Sequence, residues 1–240
     1  MKKLLLSTTF LVVSSAAATA APVFNWTGCY VGAHVGGTTI NTFTATNFEG
    51  SGTSITENGT GAVAGGQMGC NHQHGSWVFG VEGEGSWSNS TTTNVLTFPT
   101  STGSGSESFT AKNTNDFSIA GRAGFAFDRT LIYGKGGWAW SSFDFNSTLN
   151  CCPTLSDSAS ASVRTTLNGF LVGAGVEHAL TRNWTVKLEY NYLDLGSKLL
   201  NLHVTPGDEI FSLRSSVTKQ TFKVGVNYLF GSGRALVATK

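Results

Sequence analysis

The sequence is short of charge: only 12% of its 240 residues are Asp, Glu, Lys or Arg, about half the ~25% usual for soluble domains. Proline and cysteine are scarce too, with four of each. No segment after the first 21 residues carries 18 consecutive apolar side chains, so a membrane, if there is one, is not crossed by helices. The low charge excludes an ordinary cytosolic enzyme and any coiled coil. A formal net charge of +1 provides no basic field for nucleic acid. What is present is glycine, 30 of 240 residues against an average near ~7%, and aromatics. Sixteen Phe and six Trp are far too many for a disordered tail.

The first residues read as an address. Lys2 and Lys3 form a positive start, Leu4 to Val13 an apolar stretch, and Ala18-Thr19-Ala20 a small-residue cleavage site. Residues 1–20 are therefore expected to be a secretory signal peptide, cut before Ala21. Without Lys2 and Lys3 the mature chain holds 13 basic and 14 acidic residues, near −1.

Beyond the leader the pattern has period two. Phe222, Val224, Val226 and Tyr228 alternate with Lys223, Gly225 and Asn227; Trp184, Val186, Leu188 and Tyr190 alternate with Thr185, Lys187 and Glu189. Phe170–Glu177, Asp116–Phe127 and Trp77–Glu84 repeat the pattern. This is the strand signal, with one apolar face and one carrying charge and glycine. Eight strands are predicted, at 26–40, 61–71, 77–90, 113–127, 131–145, 163–179, 184–197 and 215–230. Short connections at 72–76, 128–130 and 180–183 alternate with long ones at 41–60, 91–112, 146–162 and 198–214. The long ones are rich in Ser, Thr, Asn and Gly.

This is the plan of an all-β, eight-stranded antiparallel transmembrane β-barrel spanning 21–230, with short periplasmic turns and four long extracellular loops, followed by a short tail at 231–240. A soluble sandwich or lipocalin-like barrel would invert the pattern, with the charged face in water. Aromatics at strand ends favour the membrane version: Trp26, Trp77, Trp184, Tyr228 and Phe230 are expected in the interfacial girdle on the periplasmic side. The expected partners are outer-membrane lipid, the barrel-insertion machinery and an outside partner of the loops.

Four segments carry a family resemblance. Asn25-Trp26-Thr27-Gly28-Cys29-Tyr30-Val31-Gly32 resembles the first strand of the small alphaproteobacterial outer-membrane proteins known as porin-family or outer-membrane β-barrel-domain proteins. Trp77–Gly83 resembles their third strand, Asn183–Tyr190 the seventh and Val224–Phe230 the last. The resemblance implies an eight-stranded barrel in the outer membrane, a surface antigen or structural protein without a settled enzymatic role. Some relatives bind haem, so a loop-based haem receptor joins the alternatives by resemblance. Two features depart from the family: Cys29 stands where an aromatic is usual, and Gly231–Lys240 follows the last strand.

Candidate sites are few. His72 and His74 with His178 have weak metal spacing, and no metal or other cofactor is expected. His203, Asp208 and Glu209 sit in a serine-rich context, but no G-x-S-x-G elbow occurs and no catalytic residue is assigned. Gly134-Lys135-Gly136-Gly137 lies inside a strand and lacks phosphate-loop spacing. Cys29 and Cys70 share an outward parity near one rim of the first hairpin, where opposed side chains approach within ~4.5–5.5 Å; in an oxidising periplasm a disulfide is expected. For Cys151 and Cys152, a vicinal bridge and intermolecular pairing both stay open.

The inward faces hold the most information. Residues paired across an antiparallel turn have a nearly constant sum, which sets Arg122 against Lys135 and Glu177 against Lys187, with Glu189 near Lys223. Placing Trp77 and Phe127 on one rim sets Glu82 against Arg122. Glu82, Glu84, Glu177 and Glu189 thereby meet Arg122, Lys135, Lys187 and Lys223 at one height as a neutral belt. The belt is either an interlocked plug or the selectivity ring of a narrow passive diffusion channel, and the plug is the preferred reading. The chain is then a structural, surface-exposed barrel with a largely closed lumen.

Overall fold

A strand with one apolar and one charged face needs a hydrogen-bonding neighbour on each edge, and a sheet closed on itself supplies it. A computed structural model describes residues 24–48, 51–100, 103–150, 158–204 and 209–230. Its strands are β1 (Gly28–Phe48), β2 (Ser51–His74), β3 (Trp77–Ser88), β4 (Thr91–Thr100), β5 (Gly103–Phe127), β6 (Thr130–Asn150), β7 (Ser158–Ala179), β8 (Trp184–Val204) and β9 (Glu209–Phe230). β3 and β4 form a single stave broken at Asn89–Ser90, and both pair with β5. The break is tied in on both sides: Ala62 N donates to Asn89 Oδ1 at 2.7 Å, and Asn113 N to Ser90 O at 2.9 Å. β1 pairs with β2 and also with β9, which closes an eight-stranded antiparallel barrel.

The turn at 180–183 between β7 and β8 is as expected, while the other two short turns are tighter than the sequence suggested. Two residues, Gly75–Ser76, join β2 to β3, with Gly75 at φ 60°. Asp128–Arg129 joins β5 to β6, and Asp128 takes φ 51°, a left-handed conformation that Asp tolerates better than most residues. The larger difference lies at the other end. Segments expected as long loops carry most of the strand extensions: the ladders continue to Phe48↔Ser51, Thr100↔Gly103, Asn150↔Ser158 and Val204↔Glu209. Along these stretches Thr, Ser and Asn are mixed with apolar residues at both parities, as with Leu199, Leu200, Ile210 and Phe211, so the alternation fades although β-branched residues still favour pairing.

Outward side chains form an apolar wall. From Trp77 to Trp87 the ten steps of β3, at ~3.3 Å each and tilted ~40°, climb roughly 25 Å, the height of an outer-membrane apolar band. Phe117, Ile119, Trp138, Phe170, Leu188 and Phe222 fill it. Trp87, Trp140 and Tyr190 lie toward its upper margin; Trp77, Phe127, Trp184 and Phe230 lie at the lower one.

The lumen is layered. Phe24, Trp26, Tyr30, Val78, Ala126, Leu131, Tyr133, Ala179 and Leu229 make an apolar floor at the end of the short turns. Ile40, Phe143, Phe145, Leu167, Leu195 and Val217 make an apolar roof. Charged side chains lie between.

Candidate functional site: the charged lumen

Inward parity brings Glu82 and Glu84 from β3, Arg122 from β5, Lys135 from β6, Glu177 from β7, Lys187 and Glu189 from β8, and Lys223 from β9 to one level, all buried. Lys135 Nζ lies 3.1 Å from Glu82, 3.0 Å from Glu84 and 2.7 Å from Glu189. Lys187 Nζ reaches the same three carboxylates at 3.2–3.3 Å. Lys223 Nζ joins Glu84 at 2.7 Å and Glu189 at 3.0 Å. Arg122 spans Glu177 at 2.7 Å and Glu82 at 3.4 Å, with its guanidinium carbon 4.1 Å from the Tyr133 ring centroid. Four acids and four bases balance, which is the condition for keeping charge away from water.

Neutral groups complete the belt. Tyr30 Oη donates to Glu82 at 2.6 Å and Tyr133 Oη to Glu189 at 2.7 Å. Thr185 Oγ1 donates to Glu177 at 2.5 Å, as does Asn227 Nδ2 at 2.8 Å. Gln67 Nε2 donates to Asn227 Oδ1 at 2.7 Å, while Gln67 Oε1 lies 2.6 Å from His34 Nδ1 and Ser86 Oγ lies 2.7 Å from His34 Nε2. The sequence reading missed Tyr30, Tyr133 and His34, although the parity of Val31 and Ile132 points each inward. It also missed a second ion pair, Lys219 with Asp116, one layer higher. Between the two layers lies a cavity of about 30 Å³ bordered by Glu84, Lys223, Asp116, Lys219 and Asn191, room for a water or two and for no solute.

Two expectations need correction. Trp26 is not in the outer girdle: it is fully buried in the floor, 4.8 Å from the Phe24 ring. It lies three residues from outward Cys29 and so has the opposite parity. Its backbone N donates to Gln73 Oε1 at 2.8 Å, and Gln73 N donates to Thr27 Oγ1 at 3.0 Å, which ties the segment to the neighbouring β2 in line with the β1–β2 ladder. Second, Glu82 does not face Arg122. Trp77 pairs with Phe125 rather than Phe127, so Arg122 stands opposite Gly80 and Glu82 opposite Ala120. The long guanidinium spans this two-residue slip. Arg122↔Lys135, Glu177↔Lys187 and Glu189↔Lys223 are directly opposed.

Trp77, Trp184, Tyr228 and Phe230 point outward at the lower rim, where Trp184 pairs with Tyr228, rings 5.2 Å apart. Cys29 and Cys70 are directly opposed on β1 and β2 and joined by a disulfide. The matched family model is the outer membrane protein beta-barrel domain, and it spans residues 8–230. The chain belongs to this family.

This outer-membrane barrel is 33% identical over 235 residues to the 31 kDa outer-membrane immunogenic protein of Brucella melitensis, covering 92% of this chain and 91% of that protein. A shorter stretch of 81 residues is 37% identical to a 22 kDa outer membrane protein of Rhizobium leguminosarum bv. viciae, 34% of this chain and 33% of that protein. Among solved structures, the Escherichia coli outer membrane protease OmpT superposes with a TM-score of 0.52 at 10% identity, over 89% of this chain and all of that one. That likeness is one of fold.

The remaining candidates do not assemble in the outer-membrane barrel. His72 and His74 lie on β2 beside β3, whereas His178 lies on β7 with its Nδ1 2.9 Å from Thr130 Oγ1. Glu82, Glu84 and Glu189 carry carboxylate oxygens within 4.8 Å of one another, but Lys135 and Lys187 ammoniums already fill the role of the cation. Gly134–Gly137 lies within β6. The 1–20 and 231–240 segments, Cys151, Cys152 and Asp208, with the His203 and Glu209 side chains, lie outside the described residues.

Proposed function

We propose that the protein is a structural, surface-exposed barrel of the outer membrane whose lumen is closed, and that its outward hairpins meet partners beyond the cell. The observation carrying this reading is the eight-charge belt held between an apolar floor and an apolar roof, with about 30 Å³ of space above it. A diffusion channel needs continuous water, and each apolar layer interrupts it. The Brucella relative is named for immunogenicity in the outer membrane, which supports surface display. The proposed role is non-enzymatic, since the likeness to OmpT at 10% identity brings no activity with it.

Planar-bilayer recording of refolded protein tests closure. The expected trace is flat, or broken by rare brief events; a steady, large conductance refutes the plug and makes the belt a selectivity ring.

A further inference from the structure

The disulfide lies on the side of the wall that the chemistry of its formation cannot reach. Cys29 and Cys70 share the outward parity of Val31 and Met68, and both face lipid. Phe230 of β9 stands opposite Cys29, and Val81 of β3 stands opposite Cys70. The bond is thus bordered by Val31, Met68, Val81 and Phe230, all of them outward. Cys70 is four residues up β2 from its end at His74, roughly 10 Å above the turn at ~3.3 Å per residue and ~40° tilt. Thiol–disulfide exchange starts from a thiolate. A thiolate among hydrocarbon chains carries the cost of an unpaired ion, and soluble oxidants stay in the water below.

The same hairpin lacks other means of fixing its register. Four of the ten residues 28–37 and four of the ten residues 61–70 are glycine, and glycine-rich strands slip easily. No tight turn aligns them, because β1 and β2 meet at the far end of a long ladder, at Phe48↔Ser51. A slip there would spread, since β1 also closes the barrel against β9, from Cys29↔Phe230 to Thr46↔Leu213. Cys29↔Cys70 is one rung of the native ladder, and a covalent bond at that rung excludes the slipped alignments.

We infer that the Cys29–Cys70 bond is made in water before insertion, by a thiol-oxidising protein of the periplasm, and that the barrel enters the membrane with its β1–β2 hairpin already locked. The inference rests on the outer-membrane location and is independent of whether the lumen is closed. One cysteine thiolate attacks the reactive disulfide of the oxidant to give a mixed disulfide, and the other then displaces the oxidant. One S–S bond forms in this chain and one breaks in the oxidant. The oxidant takes up two electrons and leaves as a dithiol, carrying the two protons.

The test uses the full mature chain with Cys151→Ser and Cys152→Ser, which leaves one cysteine pair to read. Two states are compared, the barrel refolded into lipid vesicles and the same chain in urea. Disulfide-bonded chain is treated with tris(2-carboxyethyl)phosphine, and reduced chain with glutathione disulfide, both confined to water. Free thiols are then counted by maleimide mass tagging after denaturation. Both reactions are expected to run at least tenfold slower in vesicles than in urea. The reduction arm stands by itself if the reduced chain does not refold. In cells, pulse-labelled protein held in the periplasm by depletion of the insertion machinery should already carry the bond. Equal rates in vesicles and urea, or a periplasmic precursor with both thiols free, overturn the inference.

Discussion

Arg122 holds Glu177 and Glu82 together from two strands and stacks on Tyr133. Its loss would leave buried carboxylates short of a partner, at a cost of ~3–5 kcal/mol. Arg122→Ala is expected to lower the guanidinium midpoint of the refolded barrel accordingly. Arg122→Lys should recover only part, because one ammonium cannot reproduce the planar fork that spans both acids. A guanidinium midpoint for Arg122→Ala equal to wild type would show that the belt contributes little. The eight belt residues were legible because charge falls on one parity of strands whose other parity is apolar. The tyrosines were not: Tyr30 and Tyr133 pass for lipid-facing aromatics until parity is enforced, and each places a ring in the floor and a hydroxyl on a belt acid. Asp116 had the inward parity, but its partner Lys219 lies where the β9 alternation had yet to establish itself in the sequence. Trp26 was misplaced because a tryptophan near a strand end suits a girdle and a floor equally well, and only its distance from Cys29 decides.

Strand extents obeyed different physics from strand positions. Alternation marks a strand only where its two faces meet different surroundings, and a hairpin with water on both sides has no such contrast. The ladders above the band were therefore read as loops, while turns flanked by aromatics were located within a few residues. The topology places the hairpin ends outside. Protease added to intact cells is expected to cut within 41–60, 91–112, 146–162 or 198–214 and to spare Gly75–Ser76 and Asp128–Arg129. Cleavage confined to those tight turns would invert the orientation. The β1–β2 hairpin has an additional constraint, a disulfide across 41 residues of sequence, which on loop-entropy grounds contributes at most about 4 kcal/mol. Mass mapping of unreduced digests should recover the Cys29 and Cys70 peptides linked, and reduction should lower the unfolding midpoint. Separate, fully alkylated peptides would remove the bridge.

At the scale of the whole barrel, the closed wall and the count of eight staves followed from the strict alternation of short and long connections. The register between β3 and β5 did not, because these neighbours are joined through a long hairpin and no tight turn fixes their sum. Floor, belt and roof act one after another along the same axis, so a hole in one leaves the others closed. Trp26→Ala, which empties the floor, is expected to leave the bilayer trace flat although it destabilises the fold by ~3–5 kcal/mol. Steady conductance from that single variant would mean that the belt and roof do not seal. The floor also has a place in time. Phe24 and Trp26 precede every strand, yet the pocket that receives them is made by Val78, Ala126, Leu131, Ala179 and Leu229, and Leu229 is one residue before the end of β9. The earliest part of the barrel domain to be synthesised therefore has nowhere to go until the latest part has arrived, and its docking marks the moment at which the barrel is finished.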